Sequence, residues 1–169
     1  AALRLPDLAP IKAKAELKGD LADLGIKANV DAPYNVALDG NVKDALDTPK
    51  IDATVKLNDT RIQDIKADLP VAAITTTVNA KGPIDDLAVS LDANADSADY
   101  GEAVIDALVH YTPAAVNIDR LNLTSPDMPG NLAAKGQVAL AEGNAMDLTV
   151  DWSKLQWPLN GEPAYRSPN

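Results

Sequence analysis

With 169 residues, no cysteine and a net charge of -10, the chain is long enough for one domain and has neither disulfides nor thiolate metal sites. The negative charge argues against nucleic acid, whose phosphates need clustered Lys and Arg, and against docking flat on an anionic membrane. Phe is absent and aromatics make up 4% of residues. Because compact cores normally rely on aromatic bulk, the Ala, Leu, Val and Ile that remain point to a thin or open interior. All but four of the 25 acids are Asp, which favours turns and caps, whereas Glu suits helix interiors. The acid usage therefore disfavours a helical protein.

Residues 1–10, AALRLPDLAP, have no basic start and no apolar block, so they do not read as a signal peptide. From there period-two alternation dominates the chain. Ile11, Ala13, Ala15 and Leu17 alternate with Lys12, Lys14, Glu16 and Lys18; Leu24, Ile26, Ala28 and Val30 alternate with Lys27, Asn29 and Asp31. Ile51, Ala53, Val55 and Leu57 follow, separated by Asp52, Thr54 and Lys56. The uncharged apolar run Leu69–Ala80, 12 residues broken by Pro70, is too short to span a bilayer. Leu87, Val89, Leu91 and Ala93 alternate again, as do Leu132, Ala134, Gly136, Val138 and Leu140, and finally Met146, Leu148, Val150 and Trp152. Each run predicts a strand with one wet and one apolar face. Pro33, Pro49, Pro70, Pro83, Pro113, the cluster 126–130 and Glu142-Gly143-Asn144 punctuate them as turns.

Residues 97–111 fit two patterns. Tyr100, Val104, Leu108 and Tyr111 make a helical stripe, with Asp99 and Glu102 at capping-box spacing, while Ala103, Ile105, Ala107, Val109 and Tyr111 alternate. Strand is the preferred reading.

The chain also repeats a phrase. KGDLADLGIKANVDA at 18–32 is answered by KGPIDDLAVSLDANA at 81–95: Lys-Gly, then Leu or Ile two places on, then Asp-Leu, then an alternating strand. Looser copies start at Gly40-Asn41-Val42-Lys43-Asp44 and at Lys135-Gly136-Gln137-Val138. Self-similarity of this kind predicts a repeated strand-turn-strand unit, with Gly19 and Gly82 at the joints and Asp23 and Asp86 completing the turns.

Candidate chemistry is sparse. Asp92-Ala93-Asn94-Ala95-Asp96 begins like a calcium loop, but Ser97 stands where the turn needs Gly and Ala103 where the bidentate Glu belongs; it reads as an acidic loop. His110, the single histidine, has no Cys to pair with and no Gly-x-Ser-x-Gly elbow accompanies it, so a structural role is expected. Asp85 and Asp86 are adjacent, point opposite ways in extended chain, and read as a solvated turn. With no phosphate loop and no dinucleotide fingerprint, neither catalysis, nor a metal, nor a cofactor is expected.

What remains is the apolar stripe. On residue pattern alone the simpler reading is the packed core of a closed β-sandwich. A long curved antiparallel sheet whose apolar faces line an open trough satisfies the pattern equally.

The final stretch VDWSKLQWPLNGEPAYRSPN, residues 150–169, together with LNLTSPDMPGNLAAKGQVAL before it and the Lys-Gly phrases, resembles the TamB family, part of the AsmA-like group. The matching positions are Trp152, Leu155, Trp157, Pro158, Leu159, Gly161, Glu162 and Pro163. The resemblance implies an all-β, taco-shaped sheet with a hydrophobic groove, and it makes residues 1–169 a single β-repeat segment, internal or from the C-terminal half, of a larger periplasmic protein anchored in the inner membrane. It implies phospholipid acyl chains as cargo, an Omp85-type outer-membrane partner, TamA, reached through the full-length protein, and unfolded outer-membrane proteins as possible clients. The groove would be lined by Leu17, Ile26, Val30, Leu38, Val42, Ile51, Val55, Leu57, Leu87, Val89, Leu91, Leu132, Val138, Leu140, Met146, Leu148, Val150 and Trp152.

Overall fold

A computed structural model describes residues 12–31, 34–65, 72–99, 101–140 and 145–167. Ten strands follow one another as an uninterrupted antiparallel meander: β1 (Ala13–Gly19), β2 (Asp23–Val30), β3 (Val36–Lys43), β4 (Lys50–Arg61), β5 (Ala73–Pro83), β6 (Leu87–Ser97), β7 (Gly101–Thr112), β8 (Ala115–Ser125), β9 (Met128–Ala139) and β10 (Met146–Ser153). Their order in the sheet is their order in the chain. A single helical turn, α1 (Ile62–Ile65), follows β4, and a small hairpin of β11 (Gln156–Trp157) and β12 (Tyr165–Arg166) ends the described chain.

Short turns force this topology, because an antiparallel pair needs only a tight reversal whereas a parallel pair needs a long crossover. The sheet is open: β1 and β10 are its edges and do not meet to close a barrel. With a twist of roughly 20–25° between neighbours, nine interfaces rotate the last strand by about 200° relative to the first, so a ten-stranded sheet coils into a trough-like, taco-shaped sheet and cannot lie flat. No second large sheet packs on it among the described residues, which overturns the closed sandwich considered above. Residues 101–112 are strand, settling the ambiguous segment in favour of alternation. The expected hairpin turn Glu142-Gly143-Asn144, with Ile11, Pro33, Pro70 and Tyr100, lies outside the described residues.

The repeated phrase divides into two kinds. Gly19 and Gly82 end strands at φ +114° and +129°, and a Cβ there would lie 2.0 Å from the Asp23 carbonyl oxygen and 2.4 Å from that of Asp86. Only glycine fits such positions without strain. The first turn is held by Asp20, whose Oδ1 accepts from the N–H groups of Ala22 and Asp23 at 2.8 and 3.0 Å. That is an Asx-type turn, and it moves the role expected of Asp23 to Asp20. In the second copy Pro83 stands at the equivalent place, and its carbonyl accepts from Asp86 N–H at 3.0 Å. Gly40 and Gly136, by contrast, sit inside β3 and β9 and join nothing.

Two of the three register shifts among the described strands keep the pattern in phase, the third lying between Thr124 and Ser125 of β8. Between Ile118 and Leu121 the register of β8 shifts against both neighbours, with Asp119 as the extra residue beside β7. Ile118 and Leu121 are three apart, an odd spacing that would put them on opposite faces of a regular strand; the bulge returns both to the same one. A second shift in β4 lies between Leu57 and Thr60.

A candidate apolar binding face

In an antiparallel sheet, residues directly opposite each other project to the same side, so the register defines rows that run across all ten strands. One row reads Leu17, Ile26, Gly40, Ala53, Ala80, Val89, Val109, Ile118, Gly136, Leu148. The next reads Ala15, Ala28, Leu38, Val55, Val78, Leu91, Ala107, Leu121, Ala134, Val150. Beyond it lie Val30, Val36, Leu57, Thr76, Ala93, Ile105, Leu123, Leu132 and Trp152. On the other flank are Val42, Ile51, Gly82, Leu87, Tyr111, Val116, Val138 and Met146. Leu140, immediately after β9, donates its N–H to the Ala114 carbonyl at 2.9 Å and continues the alternation from Val138. Every residue of the predicted stripe therefore falls on one face.

That face is bare. The buried hydrophobic residues among those described are only Ala107, Ala115 and Leu159. The stripe is half-buried in the middle strands and exposed at the edges, where Leu17 and Met146 are each 67% accessible and Trp152 57%. Ten strands at a spacing of ~4.8 Å, each giving about four apolar positions ~6.7 Å apart, present a surface of roughly 900 Å². Monomeric proteins rarely leave so much contiguous apolar area in water, and such patches mark binding sites. Small residues hollow the face: Gly40, Ala53 and Ala80 stand side by side on β3 to β5, between Val42 and Ile51 on one side and Leu38, Val55 and Val78 on the other.

The opposite face is charged. Lys27 pairs with Asp39 at 3.0 Å and Lys81 with Asp52 at 2.9 Å, across neighbouring strands. A depression of about 710 Å³ is on this side, lined by Glu16, Lys18, Lys27, Asp39 and Asp52 among others. Charged side chains dominate its rim, so this depression and the apolar rows lie on different faces of the same sheet. Asp92, Asn94 and Asp96 also project here, from the middle of β6; the segment is strand and not the acidic loop expected, and no carboxylate and imidazole groups able to hold a metal cluster among the described residues.

His110 lies on the same side, its Nε2 3.3 Å from Asp86 and its Nδ1 3.7 Å from Asp119. It links the β5–β6 turn to the bulge. Asp85 and Asp86 are exposed in that turn.

Arg120 grips Asp106 with both Nε and Nη2, the latter at 2.9 Å from Oδ2. This hydrogen bonding holds the Asp106 carboxyl below its ordinary value and raises the guanidinium. A carboxylate depressed in the folded state contributes stability above its unfolded pKa and loses it as pH falls through the folded value. Arg120→Gln is therefore expected to move the Asp106 titration upward toward the ordinary carboxylate range, measured by carboxyl-carbon NMR; an unmoved titration would mean the pair does not form in solution.

One end of the apolar face is occupied. The chain leaves β10 at Ser153–Lys154 directly over Gly130, where a Cβ would meet the Ser153 carbonyl oxygen at 2.2 Å and that of Lys154 at 2.4 Å. It then runs back so that Leu159 Cβ and Asn160 N come within 3.1 and 3.0 Å of where a Gly101 Cβ would be. Gln156 Nε2 donates to the Leu159 carbonyl at 2.6 Å, Trp152 Nε1 to Ser167 Oγ at 3.1 Å, and Ser153 Oγ to Asn131 Oδ1 at 2.8 Å. At the opposite end, the turns carry exposed Leu21, Leu46 and Ile84.

The sequence reading missed part of this surface. Val78 and Ala80 follow a run of three threonines in β5 that hides the alternation, Ile118, Leu121 and Leu123 are put out of phase by the bulge, and Val109 and Ile105 lay in the ambiguous segment. Leu159 was noted as part of a motif without a structural role.

Comparison with curated proteins and with solved structures returned no match. A scan of family models matched residues 1–145 to TamB, N-terminal domain. The match corrects one expectation: the segment corresponds to the family's N-terminal domain, and placing it internally or in the C-terminal half has no support. The Trp152–Pro163 motif that carried the resemblance lies beyond the matched residues, whereas the weaker glycine repeats lie within them. With the matched region covering most of its length, the chain belongs to the TamB family.

Proposed function

We propose that residues 1–169 form a β-repeat segment of a larger periplasmic protein, anchored in the inner membrane, and that the apolar face carries phospholipid acyl chains between the inner and outer membranes. The observation that carries this reading is the bare face itself: roughly 900 Å² of apolar side chains, continuous across ten strands and backed by a charged, hydrated face. TamB is a transport and assembly component connected with outer-membrane machinery, which accords with a surface built to hold and release. TamA at the outer membrane is the partner this reading expects through the full-length protein. None of the helices among the described residues is long and apolar enough to cross a membrane.

The energetics suit a carrier. Burying one methylene is worth about 0.8 kcal/mol, so an acyl chain half-covered by an open face recovers on the order of 5 kcal/mol. Such binding is strong enough to retain a lipid and weak enough to pass it on. Phe is absent, the rings on the face are those of Tyr111 and Trp152 in the flanking rows, and Gly40, Ala53 and Ala80 keep it low in the centre.

Photo-crosslinking in cells tests the reading against internal controls. A photoreactive residue at Val89 or Val138 is expected to capture phospholipid, and one at Ser90 or Gln137, adjacent but on the charged face, is expected to capture none. Equal capture from both faces, or none from the apolar one, would sink the proposal. Another reading finds support in the unpaired edges: a strand of an unfolded outer-membrane protein could add to β10, whose residues are exposed almost throughout. Protection of β10 amides from exchange by a client peptide, with no lipid captured at Val89, would favour that alternative.

A further inference from the structure

The C-terminal segment after β10 lies on the apolar face and not beside it. Gly101 shares the parity of Ala103, Ile105 and Ala107, which project to that face, and Gly130 lies at the same end of the sheet, in β9. The Cβ each glycine lacks is where the segment passes. Leu159, only 8% exposed, is one of the few buried apolar side chains described and is buried where the other apolar rows stand open. The Leu159 carbonyl is held by Gln156, and the β11–β12 hairpin closes the loop behind it, Trp157 pairing with Tyr165.

We propose that residues 154–167 are a built-in, displaceable stop: Leu159 occupies the end of the face as an apolar ligand would, in the notch left by Gly101, and restricts acyl chains to the remaining rows. The inference rests on the proposal that the face binds acyl chains. Its attachment suits displacement, because the segment meets the sheet at separate points, among them Leu159, the backbone over Gly101 and Gly130 and the Trp152–Ser167 hydrogen bond, whereas β1 to β10 are joined by continuous ladders. Both tryptophans lie here, Trp152 on the face and Trp157 in the stop, so the molecule carries its own reporter.

Binding of cis-parinaric acid to the wild type, Leu159→Asp and Leu159→Met tests the stop, with tryptophan emission followed in parallel and far-UV circular dichroism confirming an intact sheet. Leu159→Asp is expected to bind about tenfold more tightly, the factor gained when a site open in a tenth of molecules opens in all, with red-shifted tryptophan emission before ligand is added. Leu159→Met, which keeps an apolar side chain on Gly101, is expected to behave as the wild type. Equal binding by wild type and Leu159→Asp would overturn the stop while leaving the binding face intact. No binding by any variant would overturn the acyl-binding proposal and the stop with it. If Leu159→Asp unfolds, addition of cis-parinaric acid to the wild type decides: a red shift supports displacement, and binding without a shift refutes it.

Discussion

Gly82→Ala is expected to cost about 3 kcal/mol, among the largest losses a single added methyl can cause in this chain, and to lower the urea midpoint by more than ~1 M. Two effects add. At φ +129° an L-residue is strained, and the new Cβ would sit 2.4 Å from the Asp86 carbonyl oxygen, a backbone atom that cannot swing aside. The position also joins β5 to β6 in the middle of the sheet, so relief would require both strands to shift against their other neighbours. Gly19 has the same geometry, with the Asp23 oxygen at 2.0 Å, but it joins only the edge strand β1. Gly19→Ala is therefore expected to release β1 locally, seen as faster amide exchange at residues 13–19, with a smaller change in global stability. Gly161, at φ +69° with nothing within 4 Å, provides the control: Gly161→Asn, a residue that tolerates this conformation, is expected to change little. A Gly82→Ala protein as stable as the wild type would mean the β5–β6 turn differs from the one described.

These glycines show how far the sequence could be read. Gly19 and Gly82 were recognisable because the strand period resumes in phase after each, and glycine adopts the positive φ of such a joint without strain. Gly40 and Gly136 stand in looser copies of the phrase yet lie within strands. What distinguishes them is the residue across the ladder, Ala53 beside Gly40 and Leu148 over Gly136, and cross-strand partners cannot be read from a local phrase. The apolar stripe was legible because register preserves parity, so that alternation found strand by strand converges on one face however the strands are ordered. It failed where parity is broken locally, at Asp119 in β8, or where Thr75, Thr76 and Thr77 fill both faces of β5. The choice between a filled sandwich and an open sheet was beyond local pattern, because both require the same alternation and differ only in what lies over the apolar side. The covering role of Leu159 was equally hidden, being set by contact with Gly101, 58 positions earlier in the chain.

Leu91→Asp is expected to abolish most acyl binding, weakening it about a hundredfold, which corresponds to about 2.7 kcal/mol. Leu91 stands on β6 between Val78 and Ala107, in the row whose every member is apolar. The substitution removes methylene contacts worth about 0.8 kcal/mol each and adds a carboxylate between the uncharged side chains of Val78 and Ala107, whose hydration a bound chain would have to displace. Because Leu91 is half-buried and not enclosed, the carboxylate retains water in the free protein, and the sheet is expected to remain folded by circular dichroism. Ser90→Asp separates face from charge: it places the same group one residue earlier, on the hydrated side opposite Asn79 and Leu108, and is expected to leave binding within twofold of the wild type, as surface changes away from a site do. If both variants lost binding equally, net charge and not the apolar face would govern association. If Leu91→Asp bound as the wild type does, the acyl chain would have to lie elsewhere, and the bare face would need another occupant.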